Sequence, residues 1–308
     1  MFIKKIKNLS KIILFRIFKF GLRFKVIILP DHYYIPVSNI LDLDKDKSWQ
    51  KKSNLDGIKI DLKNQLENIK KIILPFQEEY KNGKIYNEAI KLNAGPGYGV
   101  IEAQALHGVI RYYSPKKIIE IGSGVSTYCM LSAGAKNITC IEPYPSNFLK
   151  TNTNIKLIKK KLQHCDIKIF EDLSVGDFLF IDSTHTLKIG SDVSKIYLEI
   201  IPKLKPGIII HIHDVYFPYN YQRDINNTMF QYLETQMLQA LLIDNPKIEI
   251  LFCMSHLHYE FSNDLKEIFP MYEPQKDIDG ICVNKVNYYL NVFPDKGFFP
   301  ASIYLITK

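Results

Sequence analysis

The sequence predicts a doubly wound α/β fold, a mostly parallel sheet with helices on both faces. Three observations lead there. Phe178 to Ile181 is apolar at every position and Ile208 to Ile212 at all but His211, as expected of strands covered on both faces. Segments of helical length separate them. The first run, Lys117 to Ile121, ends in a glycine turn that opens a helix. A chain of 308 residues, 46% hydrophobic and 23% charged, can bury one substantial core of this kind.

In chain order, residues 1–25 read as a basic amphipathic helix. Ile6, Leu9, Ile13, Ile17, Phe20 and Phe24 recur at steps of three and four and form one apolar stripe. Lys4, Lys5, Lys7, Lys11, Arg16, Lys19, Arg23 and Lys25 precede Pro30 with no acidic residue among them. Such a helix suits an anionic membrane surface, or packing on the protein's own body. Its uncharged runs are too short to span a bilayer, which takes about 20 apolar residues. Charges interrupt the apolar part, which argues against a signal peptide. Residues 26–95 form an N-terminal extension, with a polar loop from Asp42 to Asn54 and a helix from Asp61 to Tyr80. The loop Asn93 to Gly99 is dense in chain-bending residues.

Residues 96–308 form the main α/β domain. A helix from Ile101 to Tyr113 leads into the strand Lys117 to Ile121 and a helix from Ser126 to Ala133. The next strands are Asn137 to Ile141, Phe178 to Ile181 and Ile208 to Ile212, the last two separated by a helix from Gly190 to Ile201. A helix from Met229 to Ile243 and strands Ile248 to Cys253 and Ala301 to Thr307 complete the pattern.

Composition excludes several function classes. The eight N-terminal cations account for the net charge of +8, so the rest of the chain is near neutral and offers no nucleic-acid groove. Cys129, Cys140, Cys165, Cys253 and Cys282 are scattered without a C-x-x-C pair, so neither a zinc knuckle nor a disulfide framework is expected. That usage fits a reduced, cytoplasmic compartment, with the N-terminal helix able to rest on the inner face of a membrane.

Two constellations carry chemistry. In Glu120-Ile121-Gly122-Ser123-Gly124-Val125-Ser126, glycines let the backbone approach a ligand and the helix start presents free N–H groups. A dinucleotide fingerprint wants a third glycine where Thr127 stands. The carboxylate of Glu120 would repel a pyrophosphate but attract an ammonium and a sulfonium, and S-adenosylmethionine (SAM) has both. Glu142, ending the next strand, is placed to hold ribose hydroxyls. In the second constellation Asp182 and Asp214 each follow a buried strand, with His185 and His213 beside them. A histidine there can serve as general base toward a hydroxyl, or aspartates can hold a divalent cation that acidifies it. His211 shares a face with His213, where one of the two can be a hydrogen-bonded core residue; His256 and His258 lie in a loop-like stretch.

IIEIGSGVST (Ile118 to Thr127) resembles motif I of the class I SAM-dependent methyltransferases. CIEPYPSNFL, DFLFIDSTHTLKIGSDV, LKPGIIIHIHDVYFPYNY, ETQMLQALLIDNPKIEILF and LPDHYYIPV resemble one branch of that superfamily, small methyltransferases associated with glycan and polysaccharide pathways. The resemblance runs from about residue 25 to the C-terminus. It implies a Rossmann-like seven-stranded sheet whose last strand is antiparallel. The D-x-x-H and H-D arrangement is similar to that of metal-dependent sugar O-methyltransferases. This implies Asp182 and Asp214 as ligands of Mg2+ and His185 as base, acting on a small-molecule or glycan acceptor. His213 stands where that family places another acid, which leaves open either no metal or a mixed ligand set. Two other readings compete: a nicotinamide-dependent oxidoreductase, and a non-catalytic membrane-associated protein on a methyltransferase scaffold.

Overall fold

A computed structural model describes residues 2–95, 97–222, 225, 230–273 and 299–308. The chain divides into two compact units, residues 1–47 and residues 48–308. The first holds helices α1 (Phe2–Arg23) and α2 (Ile40–Lys45). Asn39 caps α2, its side chain accepting the Leu41 N–H.

The second unit begins with α3 (Leu62–Ile73), α4 (Gln77–Tyr80), α5 (Lys84–Lys91) and α6 (Val100–Tyr113). The helix expected over Asp61 to Tyr80 is two helices. Asp61 is the N-cap, accepting the Asn64 N–H, and Pro75 sits in a 3-10 turn that ends α3 and starts α4. Proline has no N–H to continue the ladder and its ring crowds the preceding turn.

The remaining elements follow as β1 (Ile118–Ile121), α7 (Val125–Ser132), β2 (Ile138–Ile141), α8 (Asn147–Thr151), β3 (Ile155–Ile158), α9 (Lys168–Glu171) and β4 (Phe178–Ile181). Then come α10 (Asp192–Lys195), β5 (Ile209–His213), α11 (Glu234–Leu242), β6 (Ile248–Cys253), α12 (Met254–Glu260), α13 (Ser262–Ile268) and β7 (Ser302–Thr307). The seven strands lie in the order β3-β2-β1-β4-β5-β7-β6. All pairings are parallel except those of β7, which runs antiparallel to both β5 and β6. This is the Rossmann-like sheet with an antiparallel last strand.

Helices on either face make the sheet double-sided, and β4 shows it residue by residue. Phe178 and Phe180 join a core with Ile69 of α3, Leu106 of α6 and Met130 of α7. Leu179 and Ile181 join a second core with Val193 of α10, Leu238 of α11 and Phe170 of α9. The chain builds outward from β1 to β2 and β3, then returns to place β4 on the other side of β1. That reversal leaves a crevice at the carboxyl ends of β1 and β4, where open α/β sheets bind ligands.

Several expectations need correction. β3 is a seventh strand absent from the sequence reading; it is an edge strand, only half-buried, and Lys156 interrupts its apolar run. The helix expected over Gly190 to Ile201 begins at Asp192 and passes into a π-helical segment, Ile196–Ile200. The helix expected from Met229 starts at Glu234, and Met229 lies outside the described residues. His256 and His258 are not in a loop but buried on α12. Cys129, Cys140, Cys165 and Cys253 are buried free thiols, and Cys282 lies outside the described residues.

Buried Asp177 ties the entry to β4 onto β1, accepting N–H bonds from Lys117 at 2.9 Å and Ser174 at 2.8 Å. Asp177→Ala leaves both donors without partners and is expected to cost about 1–3 kcal/mol of stability. Chemical denaturation checks this; an unchanged midpoint would show that water replaces the carboxylate.

Candidate active site

The glycine loop joins β1 to α7 and rests directly on the strand end beside it. Gly122 has φ +75°, and a Cβ there would lie 2.0 Å from the Asp182 carbonyl oxygen. Only glycine fits. Gly124 is backed by the residue 93–99 loop, since a Cβ on it would meet the Ala94 carbonyl at 3.0 Å. The loop therefore runs close against its neighbours at the crevice, with the start of α7 behind it.

Glu120 does not face that crevice. It is fully buried, taking hydrogen bonds from Ser126 Oγ and Thr127 Oγ1, each at 2.7 Å, and from Cys140 Sγ at 3.1 Å. Thr127 Oγ1 also accepts the Gly124 N–H at 3.0 Å. Glu120 and Ser126, expected at the ligand, therefore brace the loop from beneath, because Ser126 and Thr127 turn inward from the first turn of α7. Burial pushes the Glu120 carboxyl up to about 7 against the pull of its hydroxyl and thiol donors. Half-buried Glu142, at the end of β2, accepts the Tyr144 N–H at 2.7 Å and the Ser123 N–H at 3.4 Å. It links the two loops and keeps a carboxylate at the rim.

Beside the loop, after β4 and β5, lie four carboxylates and two imidazoles. His185 Nε2 is 3.2 Å from both Asp182 Oδ1 and Asp214 Oδ2, and its Nδ1 is 2.7 Å from Glu234 Oε2. His213 Nδ1 is 3.3 Å from Asp182 Oδ1, and its Nε2 is 3.1 Å from Glu102 Oε2. The structure thus brings Asp182, His185, His213 and Asp214 together as the sequence suggests. Glu102 and Glu234 were missed. A lone acid in α6, whose residues Ile101 to Ile110 are all buried, was the available signal for Glu102. Glu234 opens α11, where an acid reads equally well as a partner of the helix dipole.

The charges set one another. Burial opposes ionisation throughout, but Asp214, Asp182 and Glu234 outweigh it and raise His185 to about 10. Glu102, Asp214 and Asp182 likewise hold His213 well above the ordinary histidine range. Burial also disfavours the Asp182 carboxylate, yet the two imidazoles keep it below the usual range. His211 is the core residue of the pair: burial, then the charge of His213, hold it neutral. It stacks on Phe180 at 4.4 Å and bonds Ser302 Oγ at 3.1 Å. Among the described residues, the ligand atoms close enough to share one ion belong to Asp182, His185 and His213. Two imidazole nitrogens do not fit Mg2+, a hard cation that takes oxygen ligands.

Residues 119–215 match a family described as methyltransferase domain. An uncharacterized protein of Archaeoglobus fulgidus is 30% identical over 188 residues, which are 56% of this chain and 83% of that protein. Residues 119–215 thus carry a methyltransferase domain. Solved structures similar to this chain include the O-methyltransferase from Bacillus cereus in complex with SAH. It has 16% identity and a TM-score of 0.38, covering 60% of this chain and 90% of that one. An SAH-bound Podospora anserina methyltransferase has 17% identity and a TM-score of 0.34, covering 71% and 93%.

The raised Glu120 pKa has a sign. Between its ordinary value of 4.5 and about 7 the folded chain keeps a proton that the unfolded chain releases. Stability therefore falls as pH rises through that window, by roughly 3 kcal/mol if the shift is fully expressed. Denaturation of the wild type and Glu120→Gln from pH 4.5 to 7.5 is expected to show this loss in the wild type alone. Parallel curves would place the proton elsewhere.

Proposed function

We propose that this methyltransferase moves a methyl group from SAM to a hydroxyl of a sugar or glycan. One observation carries the reading: the glycine loop and the Asp182, His185 and Asp214 cluster meet at a single strand junction, where Gly122 lies against Asp182. SAM supplies an electrophilic methyl on a sulfonium centre. Gly122 and Gly124 carry no side chain and let that ligand come close to the loop, and Glu142 offers a carboxylate for its ribose hydroxyls. Half-exposed Asp182 and Asp214 face the crevice side of the cluster and meet the acceptor hydroxyl. His185, expected as an isolated base, is held as an imidazolium between them near neutral pH. The hydroxyl's proton therefore passes to an aspartate carboxylate facing it, Asp182 or Asp214, rather than to the imidazole, as the methyl leaves the sulfonium for the oxygen. The sugar or glycan acceptor rests on the D-x-x-H resemblance.

Calorimetric titration of the purified chain with SAM is expected to give micromolar binding, about −8 kcal/mol. Glu142→Ala should weaken it at least tenfold, whereas Asp182→Asn should spare binding and abolish turnover. Binding of NAD in place of SAM would overturn the reading in favour of an oxidoreductase.

Residues 1–47 support an added role, peripheral attachment to an anionic membrane. Ile13, Phe15, Ile17, Phe20, Phe24 and Ile27 are exposed, as are Lys11, Arg16, Lys19, Arg23 and Lys25. Apolar side chains and cations on one short segment suit a lipid surface rich in acidic headgroups. The exposed apolar residues are not confined to the expected stripe, since Ile12 and Leu14 join them. Among the described residues no helix is long and apolar enough to cross a membrane. Deleting residues 1–24 is expected to abolish sedimentation with anionic vesicles and spare SAM binding. Equal sedimentation of the truncated chain would remove the anchor.

A further inference from the structure

We infer that Asp182, His185 and His213 form a binding site for a divalent first-row transition ion such as manganese, iron, cobalt or zinc, and not for magnesium. The spacing of the donors is the first support. Asp182 Oδ1 lies 3.2 Å from His185 Nε2 and 3.3 Å from His213 Nδ1, and one donor atom from each residue lies within 4.8 Å of the others. Donors bound at about 2.1 Å around one ion sit roughly 3.0 to 3.4 Å apart at octahedral or tetrahedral angles. The two separations that involve Asp182 already match this spacing, and the imidazole nitrogens lie within 4.8 Å of one another.

The second support lies behind the imidazoles. His185 Nδ1 is 2.7 Å from Glu234 and His213 Nε2 is 3.1 Å from Glu102, and the side chains of both glutamates are almost fully buried. A metal-binding histidine almost always gives its other ring N–H to a carboxylate or carbonyl, which fixes the free nitrogen and orients the ring. Both rings are fixed in this way, and both remaining nitrogens point at Asp182; an incoming ion takes the place of the proton each carries in its absence. A role confined to ion pairing with the two aspartates would not need a second buried carboxylate behind each ring.

The third is access. Asp182 and Asp214 keep 27% and 24% of their side chains exposed, while the histidines are buried, so the cluster opens on its carboxylate side. Asp214 Oδ2, 3.2 Å from His185 Nε2, stands ready as a further oxygen donor. Two imidazoles and a carboxylate with open positions suit the borderline transition ions. Magnesium prefers oxygen and sheds water reluctantly. The ion site shares residues with the methyl-transfer reading but needs neither SAM nor an acceptor, so it is tested without either.

The purified full chain, stripped with chelator, is titrated with Co2+ and followed by its d–d absorbance. The expected result is saturation at one equivalent, with displacement by Zn2+ at comparable concentration and none by Mg2+ at about a thousandfold excess. His213→Ala should lose the bands. Glu234→Gln should retain them with affinity lowered roughly 10- to 100-fold, as for an orienting partner. No bands in the stripped wild type, or displacement by equimolar Mg2+, would overturn the site and leave an ion-paired cluster. Unchanged bands in His213→Ala would overturn it too. If a variant does not fold by circular dichroism, the wild-type competition decides alone.

Discussion

Where β1 meets β4, the backbone of Gly122 lies against the Asp182 carbonyl with no room for a side chain. Two hydrogen bonds seal the same junction, from Asp182 N–H to the Ile121 carbonyl at 2.9 Å and from Gly122 N–H to the Ile141 carbonyl at 3.1 Å. One contact thus fixes the glycine loop, the end of β2 and the first aspartate relative to one another. A displaced loop would move both the glycine turn and the Asp182 carboxylate beside it. Bound geometry of this kind must hold to a fraction of an ångström, since catalytic positioning is lost over about 1 Å.

The cluster beside that junction is a collection of charges that none of its members could sustain alone. Glu102 and Glu234 arrive from α6 and α11, elements far apart in sequence, and each pins one imidazole. Ser302 Oγ, from β7, gives a further hydrogen bond to Glu102 at 2.7 Å. The antiparallel last strand therefore does more than close the sheet: it helps hold the acid that orients His213. Removing one member of so tightly buried a set leaves an uncompensated charge, so effects there will not add.

Much of this was legible in advance, for reasons that also explain the gaps. Short runs that are mostly apolar on both faces announce burial, which is why β1, β2, β4, β5, β6 and β7 fall close to their expected places. β3 carries Lys156 in its short run and lies at the sheet edge, so its pattern reads as surface. Asp182, His185, His213 and Asp214 were visible because strand ends in this fold share one edge. What a sequence does not show is which way a side chain turns. Glu120 looked like a charge offered to a ligand, yet the inward hydroxyls of Ser126 and Thr127 claim both its oxygens. Glu102 and Glu234 sit in helices, and helical position alone does not say that two carboxylates will reach rings on separate strands and loops.

His185 and Asp214 both adopt left-handed backbone, with φ of 56° and 54°. Neither is glycine, and each such residue opposes folding by about 1–2 kcal/mol. The active centre is thus a local deficit in an otherwise well-packed body. Selection for thermal tolerance alone would drift toward glycine at these two positions, relaxing the backbone while erasing the donors.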